Sequence, residues 1–174
     1  HRDECIPGLK RLTDEVHRYG GRVAVQLAHG GGKSRLVQPG KPLLAPSDLE
    51  REFFGTAPAR AMALEDIESA KKAFRRAALR AREAGFDAVQ LHAAHGYLLS
   101  QFLSPLSNRR EDEYGGDSQR RARFTAELIE DIRRALGPDF PILMKMNGDD
   151  FVESGLQATD AAEMASLFEK AGLD

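Results

Sequence analysis

The sequence predicts an α/β fold in which parallel strands are covered by helices. One pattern recurs along the chain: an amphipathic helix, a glycine, then a short apolar strand. The strand-like runs are apolar on both faces instead of alternating, which is how strands buried under helices read.

The elements follow in order. Ile6 to Tyr19 places Leu9, Leu12 and Val16 at helical spacing. Gly20-Gly21 ends that helix, and Val23-Ala24-Val25-Gln26-Leu27 reads as a buried strand. Leu64 to Ala84 is the clearest helix: Ile67, Ala70, Phe74, Ala77, Ala78 and Ala81 form one stripe, with Lys and Arg mostly off it. Gly85 is suited to stop it, and a strand from Phe86 to Leu91 follows. A third helix spans Gln119 to Leu136, Gly137-Pro138 breaks it, and Pro141 to Met146 is the next strand. The last helix, Thr159 to Lys170, has Thr159 as its N-cap and Gly172 as its stop, and a further strand begins near Leu173.

Such alternation implies right-handed crossovers and fits either a doubly wound sheet or a (β/α)8 barrel, which periodicity does not separate. A full barrel needs ~250 residues. With 174 residues, three complete strands and the start of a fourth, this chain would be a partial barrel of about three to four βα units. The least regular stretches, Gly30 to Pro58 and Leu103 to Asp117, follow strands on the rim where active-site loops sit.

Composition narrows the class. With 41% hydrophobic and 30% charged residues, 1–174 reads as one soluble globular domain. A net charge of -2 argues against a nucleic-acid partner. Cys5 is the sole cysteine, so no intrachain disulfide forms, and a reducing compartment, the cytoplasm, is the simple expectation. No apolar run approaches the ~18 residues that span a membrane, and no signal-peptide pattern is present. The chain starts at His1 and stops at Ala171-Gly172-Leu173-Asp174, and both ends are expected to be cut.

Chemistry concentrates at strand ends. The run His92-Ala93-Ala94-His95-Gly96-Tyr97 puts two imidazoles and a phenol within six residues, directly after a strand. Paired donors can grip an oxygen, and a weak acid beside them can deliver a proton; in parallel α/β proteins this end of a strand carries the catalytic groups. The other strands also end in polar groups, Gln26 through His29 and Lys145 with Asn147. Such residues either converge on a site or satisfy loop backbones. Lys145 lies among Ile142, Leu143, Met144 and Met146 and reads as buried, where an ammonium needs a partner. Asp149 or Asp150 would serve, or a ligand with negative charge or an electron-rich ring oxygen. Gly30-Gly31-Gly32-Lys33-Ser34 lacks the spacing of a phosphate loop and is either a flexible turn or a set of amides facing a ligand. His92 and His95 could belong to a metal site only with further ligands, and Cys5 is too remote to be one; no metal is assigned.

The segments His92-Ala-Ala-His95-Gly-Tyr97-Leu-Leu, Gln101-Phe-Leu-Ser-Pro-Leu-Ser-Asn108-Arg-Arg, Asp112-Glu-Tyr114-Gly-Gly and Arg121-Ala-Arg123-Phe124 together resemble the old yellow enzyme family. These are FMN-dependent NAD(P)H oxidoreductases and ene-reductases. Val25 to Ser34 and Lys145 to Val152 resemble two further strand segments of the same family, so the likeness covers nearly the whole chain as an internal piece of the barrel. The resemblance implies a TIM barrel with FMN as cofactor and NADH or NADPH as electron donor. It implies that Gln26 bonds the flavin pyrimidine edge and that Lys145 lies near the flavin N1 and O2. Lys145 stands where the family usually has Arg, keeping the charge without the planar fork. His92 and His95 would hold the carbonyl oxygen of an activated alkene or the nicotinamide carboxamide, and Tyr97 would protonate the substrate α-carbon. Gly32 departs from the His-x-Gly-Arg turn common in the family.

Because the family holds its flavin phosphate near strands seven and eight, this chain alone is expected to bind FMN weakly or not at all. Its open parallel edges are expected to make it a homo-oligomer or strand-paired dimer. The other readings are an inactive barrel piece acting as an assembly unit, and a metal-dependent barrel hydrolase using His92 and His95.

Overall fold

The computed structural model describes residues 2–35, 40–50, 53 and 57–174. The expectation for Gly30 to Pro58 lies partly outside these residues, and that for His1 wholly outside them. Helix α1 (Ile6–Arg18) leads into β1 (Ala24–Leu27); β2 (Leu43–Ala45) and β3 (Ala59–Ala61) follow, then α2 (Leu64–Glu83) and β4 (Ala88–Ala93). A short α3 (Leu98–Leu103), α4 (Ser118–Leu136), β5 (Ile142–Met146) and α5 (Ala158–Ala171) complete the order.

Strands β1, β4 and β5 form a parallel sheet in the order β1-β4-β5. Each is joined to the next through a segment containing a long helix, the connection found both in an arc of a (β/α)8 barrel and in a doubly wound sheet. The backbone N–H of Asp174 donates to Ile142 O at 3.0 Å, and the Asp174 carboxylate accepts the Ile142 N–H at 2.8 Å. The strand expected near Leu173 therefore starts pairing on the far side of β5.

Register decides which side chains face which way. Gln26 lies opposite Gln90, and His92 opposite Lys145. Alternation puts Val25, Leu27, Val89, Leu91, Ile142 and Met144 on the other face, where they join the core made with Ile67, Phe74, Phe124, Ile129 and Phe168. Among the described residues no helix is long and apolar enough to cross a membrane.

Four expectations need correction. The strand before His92 begins at Ala88, not Phe86, because the Asp87 carboxylate is held at the strand base by Val23 N–H at 2.8 Å, His17 at 2.8 Å and Arg22 at 2.9 Å. Thr159 is not the N-cap of α5; that position is Gln157, whose backbone is extended. The irregular stretch after β1 contains β2 and leads into β3, a parallel pair with its own small apolar cluster of Leu43, Ala45, Leu49 and Ala59. Lys145 is exposed, not buried, since alternation turns it to the inner face while Met144 and Met146 pack against the core. Asp149 and Asp150 do not serve it: Asp149 accepts the Phe151 N–H at 2.5 Å, and Asp150 accepts from Ser104 Oγ at 2.6 Å and Leu156 N–H at 2.8 Å.

Candidate active site

His92 sits at the end of β4 on the inner face and is 7% exposed. The chain then turns sharply: His95 adopts φ 61° and Gly96 φ 73°, so two consecutive residues are left-handed. That backbone costs a non-glycine residue about 1–2 kcal/mol and marks an over-determined turn. It brings the His95 ring edge-on to His92 at 5.1 Å between centroids. Tyr97 follows as the N-cap of α3, with its ring edge-on to His92 at 4.9 Å.

The turn is braced from below. Every residue of α3 is buried, and Gln101 within it spans two loops. Its Oε1 accepts the Gly32 N–H at 3.1 Å and its Nε2 donates to Gly96 O at 2.6 Å. The glycine run is a tight 3-10 turn over Gly31–Lys33. Its amides are directed into the protein: Gly31 N–H donates to His29 Nδ1 at 3.1 Å, and Lys33 and Ser34 N–H donate to Gly30 O and Gly31 O, each at 3.1 Å. Of the two readings left open for this run, the turn holds, and the amides do not cradle a ligand.

Burial, then the nearby His95 and Lys145, hold the pKa of His92 below the ordinary histidine value, so its neutral form prevails near pH 7. Its Nδ1 faces the Ala94 N–H at 3.4 Å; a neutral ring that accepts there carries its proton on Nε2. His29 is also held below the ordinary value by burial.

On the same inner face Lys145 lies opposite His92, and Gln26 lies further along, opposite Gln90. Gln26 is exposed and its Nε2 donates to Gln90 Oε1 at 2.7 Å. Inner rows of a packed barrel usually carry branched apolar side chains; here Gln26, Gln90, His92 and Lys145 share them with Leu143, Ala24 and Ala88. A flat heteroaromatic ring with carbonyl and imide edges answers that donor set, since Gln26 offers an amide and Lys145 a cation. The structure thus brings His92, His95, Tyr97 and Lys145 together at one end of the sheet and leaves Gln26 two ladder positions below His92, beside Gln90. A cavity of about 720 Å3 lies elsewhere, along the edge of β1, where Leu9, Leu27, Phe74 and Phe86 line it and Gln26 and His29 touch its rim. Among the described residues β1 pairs on one side only, so this cavity is a seam of the sheet and not the His92 chamber. Among the same residues no cluster of three or more His, Cys, Asp or Glu is placed to hold a metal ion.

A family model, that of the NADH:flavin oxidoreductase / NADH oxidase family, matches residues 1–174. The chain belongs to this family. An NADH oxidase of Thermoanaerobacter brockii is 40% identical over 172 residues, covering 98% of this chain and 26% of that protein. An NADPH dehydrogenase of Listeria innocua is 40% identical over 172 residues, covering 99% of this chain and 49% of that protein. Among solved structures, morphinone reductase in complex with tetrahydroNAD superposes with a TM-score of 0.84 at 35% identity, covering 99% of this chain and 53% of that one. A 2-naphthoyl-CoA reductase complexed with 2-naphthoyl-CoA superposes with a TM-score of 0.88 at 30% identity, covering 98% and 28%. The chain thus spans between about a quarter and half the length of these relatives. The family assignment agrees with the resemblance carried by the His92 to Phe124 motifs, and the superpositions confirm the barrel over the doubly wound alternative.

Reading the sequence places Gln101 in a family-like segment and Asn147 at a strand end without giving either a role, and it misses Gln90 as a site residue. Each matters through a partner 52 to 69 residues away, which no local pattern supplies. The alternation Gln90-x-His92 was the available signal for Gln90.

Proposed function

We propose that this chain carries the substrate-gripping part of an FMN-dependent NAD(P)H oxidoreductase that reduces an activated alkene. The supporting observation is the cluster of His92, His95 and Tyr97, with ring centroids 4.9 to 5.1 Å from His92, at the end of a barrel strand beside Lys145.

FMN, when bound, supplies the hydride relay between NAD(P)H and the substrate. Gln26 and Lys145 are the residues that would hold its ring, the first by amide hydrogen bonds, the second by its charge. His92, neutral and protonated on Nε2, donates to the substrate carbonyl oxygen, and the His95 imidazole donates beside it. Both strengthen as negative charge develops on that oxygen, so the pair lowers the barrier and does more than bind. Tyr97 gives its phenolic proton to the α-carbon and regains one from solvent. The relatives support this reading, with a morphinone reductase and a 2-naphthoyl-CoA reductase among them.

The test is enone-dependent oxidation of NAD(P)H by the FMN-loaded protein. Removing one oxyanion donor costs about 10²–10³ in rate, so His92→Ala/His95→Ala is expected to lower kcat/KM for the enone at least that far. Tyr97→Phe is expected to slow the step that acquires a solvent proton and to change its solvent isotope effect. Full enone turnover in the double variant would overturn the proposal.

A further inference from the structure

The Gly-Gly-Gly-Lys run has no assigned part in the chemistry above, yet its lysine reaches the site. Lys33 Nζ donates to the backbone carbonyl of His95 at 2.8 Å and lies 5.7 Å from the centroid of the Tyr97 ring. On the other side of the same residue, the His95 N–H donates to Asn147 Oδ1 at 3.2 Å. His95 is thus gripped at both its backbone polar groups, by side chains from two different loops. One loop follows β1 and the other follows β5, while His95 itself follows β4.

This arrangement bears on the backbone. His95 holds φ 61° without being a glycine, a conformation that persists only when its surroundings impose it. Holding the N–H restrains φ, and holding the C=O restrains ψ. The imidazole of His95 is exposed, so packing does not station it; the backbone must. Nearby Gly96 is fixed separately, through its N–H to Ser100 Oγ at 3.3 Å and its O from Gln101 Nε2 at 2.6 Å.

We propose that Lys33 and Asn147 are positioning residues that clamp the His95 peptide in its left-handed turn and so station the second imidazole against His92. The clamp rests on the reading of His95 as a substrate donor. It also explains why one lysine follows three glycines: the tight turn over Gly31–Lys33 is what delivers Nζ to the His95 carbonyl. The ammonium contributes charge-assisted donation to the carbonyl, and a guanidinium can do the same.

The test uses the FMN-loaded holoenzyme and reads two quantities in each variant: hydrogen exchange resolved at the His95 amide, and the enone half-reaction. Asn147→Ala is expected to speed exchange at His95 by roughly tenfold, the loss of one hydrogen bond, with no change at Val89 and Leu91 in β4. Lys33→Met is expected to lower kcat for the enone by about 10- to 100-fold, since a misplacement near 1 Å costs that much, with a smaller change in KM. Lys33→Arg is expected to restore most of it; a merely structural lysine would not distinguish Met from Arg in kcat alone. Unchanged His95 exchange in Asn147→Ala, or equal kcat for Lys33→Met and Lys33→Arg, overturns the clamp. The failure of the wider reading is separate: it shows as enone turnover surviving His92→Ala/His95→Ala, whatever the exchange rates are.

Discussion

Gly31→Ala is expected to damage both stability and the site, because the space beside Gly31 is already taken. Gly31 has φ 58°, and a Cβ there would stand 2.9 Å from Gln101 Cδ and Nε2 and closer still to Oε1. Gln101 is 1% exposed and has nowhere to swing. Relief of the clash would break its bonds to Gly32 N–H and Gly96 O, 3.1 and 2.6 Å long. The left-handed backbone costs alanine about 1–2 kcal/mol, and two lost hydrogen bonds cost about 0.5–1.5 kcal/mol each, so the total is about 2–5 kcal/mol. Gly20→Ala is the control: Gly20 has φ 73° with nothing within 4 Å of a Cβ, so only the backbone cost of about 1–2 kcal/mol applies. Denaturant titration of both variants, with enone turnover measured alongside, separates the two contributions. Equal destabilisation by the two substitutions, with turnover intact in Gly31→Ala, would refute the role given to Gln101 as the brace under the His95–Gly96 turn.

Other expectations follow from buried charge and from the histidines. Arg121 is 6% exposed and donates to Leu103 O at 2.9 Å, Gly116 O at 2.5 Å and Asp160 Oδ2 at 2.7 Å; Arg121→Met is expected to cost about 2–4 kcal/mol in denaturant titration, the lower part of the range for a broken buried pair because Asp160 is partly exposed. The pKa of His29 lies below its ordinary value of 6.5 through burial, so as pH falls below 6.5 the unfolded chain takes up the proton first and stability declines toward the depressed folded value. Unfolding midpoints measured across that window are expected to fall less steeply in His29→Asn. Tyr114 is pushed up to about 12 by burial and by the Glu127 carboxylate that accepts its hydroxyl at 3.0 Å; alkaline ultraviolet titration of the protein against Tyr114→Phe is expected to show one phenol ionising there.

The helices were legible because their burial is periodic, and the three longer strands because each is a short apolar run after a glycine or Gly-Pro break. Where the pattern vanishes, so does legibility. All residues of α3 are buried, so it shows no polar face at helical spacing. Strands β2 and β3 have three residues each, too few for a period. No local pattern marks Lys71 and Arg121 as buried, yet both are, with partners distant in sequence: Lys71 pairs with Glu127 at 2.8 Å as well as neighbouring Glu68, and Arg121 with Asp160. Lys145 errs the other way, since apolar neighbours along the chain say nothing about which face a strand residue takes.

The sequence by itself determined the parallel βα order, the strand ends that carry polar groups, and the cluster His92, His95 and Tyr97, because these are local: periodicity and a six-residue motif contain them. Tertiary structure alone decided that Lys145 stands opposite His92 on an open inner face, that the triple glycine is a turn against Gln101, and that Lys33 and Asn147 meet at the two ends of one histidine. These depend on register and on loops brought together from three βα units, and register is a property of paired strands that no single segment encodes.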